Sequence, residues 1–521
     1  MTVAGEILAA FAAAAGGAAL LAHRGFPRLS GAISAVGILV ASGLALTLPV
    51  PAATSPGTQL VVESGYLRSV TAAFALTTAV GVVTAMAAGV ALPTVARIGA
   101  TSLLGIAAAV VTLGAADPVI GCFAALGGAA AGMALSAGRS MVEATVRELR
   151  TVVIATAAVV AGAALAPALV APGAEAGGAA LDAAAPLTPA VGAATLAVAL
   201  GTGLRYGTIP FHLWVARAAD AVPPAALALV LGWLPMLLGV AASSTLFGRI
   251  APLGAEVGAE RLVVAGLATV TLLVGPFAAW IQEDLDHLVG YVAVASAGVV
   301  LLGLAAVGVD AWPATRLWLL VHALGVTALA GWVALVDARY GTRRLPELDG
   351  WARRSPLAAV ALVLAALALV GLPGWLPLEA RRDLAELALG APVGTFVSGA
   401  SLIVVAPLIR VLVVGVRPPA PLVSGGPAEL DSLGTARNLL RPVGAWRAGL
   451  PARMRDVRVA RTSVAGVAAA VRANAPLLAS LALVLGSLLC LAIANGGLGL
   501  AGSIAEPLPA VPEAAEPAPA G

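Results

Sequence analysis

The chain has 521 residues, 60% of them hydrophobic and only 11% charged, with a mean hydropathy of +1.01. Soluble domains carry roughly 25% charged residues, so this composition excludes a soluble enzyme or binding module and specifies a polytopic, all-α membrane protein. The formal charge is +3 and all 29 basic side chains are arginine, a balance that membrane topology explains better than nucleic-acid binding.

A helix needs about 20 apolar residues to cross the hydrocarbon core. On that ruler the sequence predicts about fourteen transmembrane helices: 3–22, 31–51, 66–93, 96–116, 118–136, 149–171, 187–218 (broken), 223–248, 261–281, 286–308, 312–336, 356–377, 388–416 and 475–497. The first has no basic leader and carries Glu6 early, so it reads as a span and not a cleaved signal. Arginines concentrate in alternate loops: Arg24, Arg28, Arg97, Arg139, Arg147, Arg150, Arg217, the run Arg339 to Arg354 and the block Arg417 to Arg472. The other loops hold Arg68, Arg249, Arg261, Arg316, Arg381 and Arg382. The positive-inside rule then makes the arginine-rich loops cytoplasmic and places both termini outside, in an inner (plasma) membrane protein. Residues 1–116 form the N-terminal helices, 417–474 a Pro/Arg-rich cytoplasmic linker, 475–503 the last span, and 504–521 a Pro/Glu/Ala tail expected to be disordered. Within the linker, 450–472 reads equally well as a basic amphipathic helix or as solvated chain.

The chemically dense stretch lies mid-chain, GTGLRYGTIPFHLWVARAADAVPP from Gly201 to Pro224. Pro210 removes a backbone N–H and breaks the helix near Gly207. Broken backbone at membrane depth survives only where protein buries it or water reaches it, and an arginine there is a functional-site candidate by default. Arg205, Pro210 and His212 therefore mark a discontinuous helix lining a polar cavity, or else a re-entry point with Arg205 snorkelling to the headgroups. Cys122 and Cys490 stand alone, and four histidines in all offer no convincing metal set. No phosphate-binding loop, dinucleotide fingerprint, zinc-protease motif or nucleophile elbow occurs. No catalytic residue, cofactor or metal is expected on this chain.

The stretch GLRYGTIPFHLWVARAADAVPP resembles the broken seventh helix of the antiporter-like subunits of respiratory complex I, the proton-translocating NADH:quinone oxidoreductase, through Pro210, Phe211, His212, Trp214, Asp220 and Pro223. Further blocks follow in the family's order: Gln282 to Tyr291, with Gly298 beyond it; His322-Ala-Leu; Leu348 to Pro356; and Gly371-Leu-Pro373-Gly-Trp-Leu-Pro377-Leu-Glu379-Ala-Arg381. Upstream, Ser140-Met-Val-Glu143-Ala-Thr resembles the N type among the N/M/L subunits. The resemblance implies two inverted five-helix half-channels, 117–250 and 251–416, broken at Gly207 and Pro210 in helix seven and at Gly371, Pro373 and Pro377 in helix twelve. It implies a membrane-arm subunit that binds no cofactor, in a complex using NADH and quinone with other membrane subunits as partners. Mrp-type cation/proton antiporters and hydrogenase-like complexes share the same blocks and stay open as alternatives, as does a non-conducting scaffold.

The proton-path candidates in this chain are Arg205, His212, Asp286, His322, Glu379 and Arg381, and the relay of a glutamate and buried lysines that the resemblance implies departs from them, its helix-twelve ion falling on Arg381. Lysine positions fall on Arg205 and Asp286, on the group Trp233, Leu234 and Pro235, and on Val326, while the helix-five glutamate position falls near Ala124 to Gly127. Guanidinium stays protonated above about pH 12, so the relay reads as degenerate, with His212 and His322 as its titratable remnants.

Overall fold

Alanine, glycine, leucine and valine dominate the chain, and in a bilayer their backbone groups must be satisfied within helices or closed barrels. The computed structural model describes residues 4–49, 61–135, 142–169, 188–253, 258–418 and 464–506, whose regular structure is helical. In order the helices are α1 Ala4–His23, α2 Pro27–Thr47, α3 Gly65–Ala87, α4 Leu92–Gly114, α5 Pro118–Gly132, α6 Val142–Leu169, α7 Thr188–Tyr206, α8 Leu213–Ala221, α9 Leu234–Thr245, α10 Gly258–Trp280, α11 Leu285–Ala305 and α12 Trp312–Tyr340. They continue as α13 Trp351–Arg354, α14 Pro356–Val370, α15 Leu376–Leu389, α16 Ala391–Ser401, α17 Val405–Val416, α18 Val464–Ala494 and α19 Leu500–Ser503. Among the described residues eleven stretches are long and apolar enough to cross a membrane, and α5 and α14 are shorter apolar helices.

The sequence boundaries hold to within a few residues for most spans. The exceptions have physical causes. Helix α6 starts at Val142 and α18 at Val464, earlier than the expected 149 and 475: the stretches ahead of the apolar runs, with Glu143, Arg147 and Arg150 in one and Arg472 and Asn474 in the other, are still helical. The expected helix 223–248 is instead a helix with wide π turns, Ala228–Trp233 before α9 and Leu246–Ile250 after it. A 3₁₀ turn at Leu402–Val404, ahead of Pro407, divides the expected 388–416 span into α16 and α17.

Helices α11 and α12 form the centre, with 94% and 89% of their spans buried, against 33% for α1 and 44% for α10. The outer helices turn Leu21, Leu39, Leu262 and Phe396 outward, as a lipid solvent permits. At Gly275 an added Cβ would come within 2.9 Å of Ala295, so glycine lets α10 lie directly against α11. Helix α18 packs against α3, α12 and α14.

Arg316, expected in a loop, is buried in the first turn of α12 between the rings of Tyr66 (4.2 Å) and Trp312 (4.3 Å). Its Nη1 donates to the Glu506 carbonyl at 2.9 Å. The Glu506 carboxylate accepts from the Gly65 and Tyr66 amides at 3.1 and 3.2 Å, capping the positive end of α3. Chain docking thus runs to Glu506, beyond the expected tail boundary at 504, and 507–521 lie outside the described residues. So does most of the 417–474 linker; the described part of the 450–472 stretch, from Val464, continues helically into α18.

Candidate functional site

Two interrupted helices flank the α11–α12 centre. The first interruption separates α7 from α8. Gly207 takes φ +68°, its amide bonds the Leu204 carbonyl (3.3 Å), and the Thr208 amide bonds the Gly203 carbonyl (2.9 Å). This pair of bonds around a left-handed glycine closes a helix C-terminus. Trp214 Nε1 donates to the Leu204 carbonyl at 2.9 Å and pins α8 to the end of α7.

The second interruption separates α14 from α15. Gly371, at φ +75°, follows the last helical residue, its amide bonded to the Leu367 carbonyl at 2.8 Å. Glu379 accepts from the Gly374 amide at 3.1 Å. That contact makes Glu379 a brace of the interruption, half-exposed at the start of α15.

Each interruption holds a buried guanidinium. Arg205, 1% exposed in the last turn of α7, lies 5.4 Å from the Trp214 ring, and its Nη1 and Nη2 have no hydrogen-bond partner among the described residues. Its carboxylate is Glu148 of α6, buried and within electrostatic range. Of the other acids that could have served, Asp220 instead pairs with His287 Nε2 at 2.9 Å, and the side chain of Glu143 lies outside the described residues. Arg381, 2% exposed, donates to Ser401 Oγ and the Leu369 carbonyl, both at 3.3 Å, and lies 4.8 Å from the Trp318 ring.

His322 stands between them. Its Nε2 lies 3.0 Å from the Leu231 carbonyl and its Nδ1 3.0 Å from Ser296 Oγ. A regular helix would give the Leu231 carbonyl the amide of residue 235, but that residue is Pro235 and has no N–H. The carbonyl can only accept, so Nε2 carries the proton and, in the neutral ring, Nδ1 accepts from the Ser296 hydroxyl. Tyr206 meets the His322 ring edge-on at 5.0 Å, and Trp318 Nε1 donates to the Ser296 carbonyl at 3.1 Å. Glu148, Arg205, Tyr206, His322, Ser296, Trp318, Arg381 and Ser401 therefore form one buried polar line across the bundle.

The remaining predicted residues lie elsewhere. His212 is half-buried at the start of α8 with its ring 6.0 Å from that of Tyr291, in a different cluster from His322. Asp286 lies in the first turn of α11, bonded to Arg343 from the loop after α12. Burial opposes the charge of Arg343, but Asp286, Asp284 and Asp337 outweigh it and hold its pKa above the ordinary guanidinium range. The sequence signals that were missed are Pro235, four residues after Leu231, and the isolated serines Ser296 and Ser401 in apolar helices.

Helical spans around two half-helix interruptions, with buried charge at each, define a polytopic membrane protein with discontinuous helices. Residues 180–398 match the family described as NADH:quinone oxidoreductase/Mrp antiporter, transmembrane. NADH-quinone oxidoreductase subunit N 1 of Streptomyces griseus is 33% identical over 189 residues, which is 36% of this chain and 39% of that protein. Subunit N of Desulfovibrio desulfuricans is 31% identical over 204 residues, 36% of this chain and 38% of the relative. The aligned stretch thus spans well under half the length of these relatives. Among solved structures, the Mrp complex from a Dietzia species superposes with a TM-score of 0.62 at 21% identity, covering 97% of both chains. Thermus thermophilus respiratory complex I gives 0.59 at 21% identity, covering 85% of this chain and 99% of that one; both share the fold. Residues 180–398 thus match this antiporter-like family, and their sequence likeness lies with the N-type subunits.

Proposed function

We propose that this chain is a membrane-arm subunit of an NADH:quinone oxidoreductase-type complex, with NADH and quinone bound by other subunits. Its buried line holds fixed charge and passes protons only at His322. The carrying observation is that the cation beside each helix interruption is an arginine, Arg205 and Arg381, both buried. Guanidinium does not release its proton in the working pH range. His322 titrates in kind, but protonating Nδ1 requires the Ser296 hydroxyl to turn away from donating, so the step is gated by one rotor.

The arginine skew supports a cytoplasmic side for the loops after α1, α3 and α12, with both termini opposite. The burial of Arg316 and Arg381 strengthens it by removing two arginines from the opposing loops.

The test is proton flux in vesicles containing the purified assembly. His322→Gln is expected to lower flux severalfold with electron transfer through the assembly retained, and His212→Ala to leave flux near normal. Unchanged flux in His322→Gln would exclude the His322 route. Absence of flux through this chain in the parent assembly would leave a scaffold.

A further inference from the structure

The end of the bundle where α1 turns into α2 and α3 into α4 has a feature the central line does not use. His23, Arg24, Arg28 and Arg97 lie at this end, with Arg97 within electrostatic range of His23. None of the three guanidiniums has a hydrogen-bond or ion-pair partner among the described residues, and His23 Nδ1 is a buried nitrogen without one. No Asp or Glu occurs between Glu6 and Glu63, nor between Glu63 and Asp117. Glu63 accepts from the Gly5 amide at the opposite end of α1, so neither it nor Glu6 can neutralise this corner.

Beside the charges runs a groove of about 180 Å³ between α2, α3 and α4, lined by Arg28, Ala32, Ala35, Met86, Leu92 and Val95. Phe26, 68% exposed, and Leu29, also exposed, flank Arg28 closely in the chain. Cations without acids at a helix end, adjoining a largely apolar groove, match a molecule with an anionic head and an aliphatic tail. Arginine suits a phosphate oxygen pair through its planar fork. A carboxylate-bearing protein partner would satisfy the charges but has no need of the groove.

We propose that this corner binds one anionic phospholipid, with its phosphate on Arg28 and Arg97 and an acyl chain in the α2–α3–α4 groove. The intact assembly would be placed in nanodiscs of equal phosphatidylglycerol and phosphatidylcholine, extracted in mild detergent, and its retained lipid measured by native mass spectrometry. The parent should retain phosphatidylglycerol selectively, and inorganic phosphate should not displace it. Arg28→Gln with Arg97→Gln should lower retention by about fivefold for each arginine removed. Ala32→Phe, which keeps the charges and fills the exposed groove, should lower it as well; this variant carries the test if the arginine variant fails to assemble. Arg353→Gln with Arg417→Gln, an equal charge loss elsewhere, should leave retention unchanged. Equal retention of both lipids, displacement by phosphate, insensitivity to Ala32→Phe, or an accompanying protein occupying the groove in place of lipid would each overturn the proposal.

Discussion

The two helix interruptions solve one electrostatic problem in different ways. Both bring a buried guanidinium to the carbonyl end of a half-helix, where the backbone dipole favours positive charge. Arg205 sits at the end of its own helix, α7, and has a carboxylate within range but no hydrogen bond. Arg381 arrives from the helix after the interruption, reaches back to the Leu369 carbonyl of α14, and has hydrogen bonds in place of a counter-ion. The first arrangement depends on a second charge; the second depends on backbone geometry. A charge held by another charge is sensitive to losing it, whereas a charge held by carbonyl and hydroxyl is sensitive to the shape of the turn.

That difference can be broken most forcefully at Glu148. Glu148→Ala leaves Arg205 buried without its carboxylate and should destabilise the protein by about 3 kcal/mol. Adding Arg205→Met should recover most of the loss, as thermal unfolding in detergent would show. A single variant as stable as the parent would mean that Arg205 needs no counter-ion. The glycines sharpen the comparison at the next level. Alanine at Gly207 must adopt a positive φ, costing roughly 1–2 kcal/mol, whereas at Gly371, with φ 75° and ψ 175°, it enters a region essentially reserved for glycine. At Gly207 the new Cβ would lie 2.3 Å from Val215 Cγ2, a side-chain atom, against 2.9 Å from the Leu378 backbone nitrogen at Gly371, which cannot turn away. Gly371→Ala should therefore show the lower unfolding midpoint of the two. The smallest effect belongs to the surface pair beside the first interruption: with Asp220 53% and His287 26% exposed, Asp220→Asn should cost no more than about 0.5 kcal/mol in the same assay.

Spans and interruptions were legible because their causes are local. Apolar length sets a span, and glycine beside proline ends a helix wherever it occurs. Alanine-rich ends such as that of α3 drifted by several residues because alanine hardly distinguishes lipid from interface. The partners in the site were not legible, because they come from distant sequence. His322 takes its acceptor from Leu231, and Arg316 takes its own from Glu506. Arg316 looked like a loop residue because the rings that bury it come partly from α3. Asp286 likewise takes its partner from distant sequence, the loop arginine Arg343. The wide turn before α9 had one readable cause, Pro235, whose missing amide frees the carbonyl that orients His322.

The docking of Glu506 bears on how the molecule is made. Helix α18 leaves the ribosome long after α3, yet it packs against α3, α12 and α14, and the segment after it caps the start of α3 and covers Arg316. Until it inserts, the early helices expose small-residue faces and Arg316 lacks its acceptors. Nascent chains would be open along this seam for most of their synthesis, and insertion of α18 is the event that closes it.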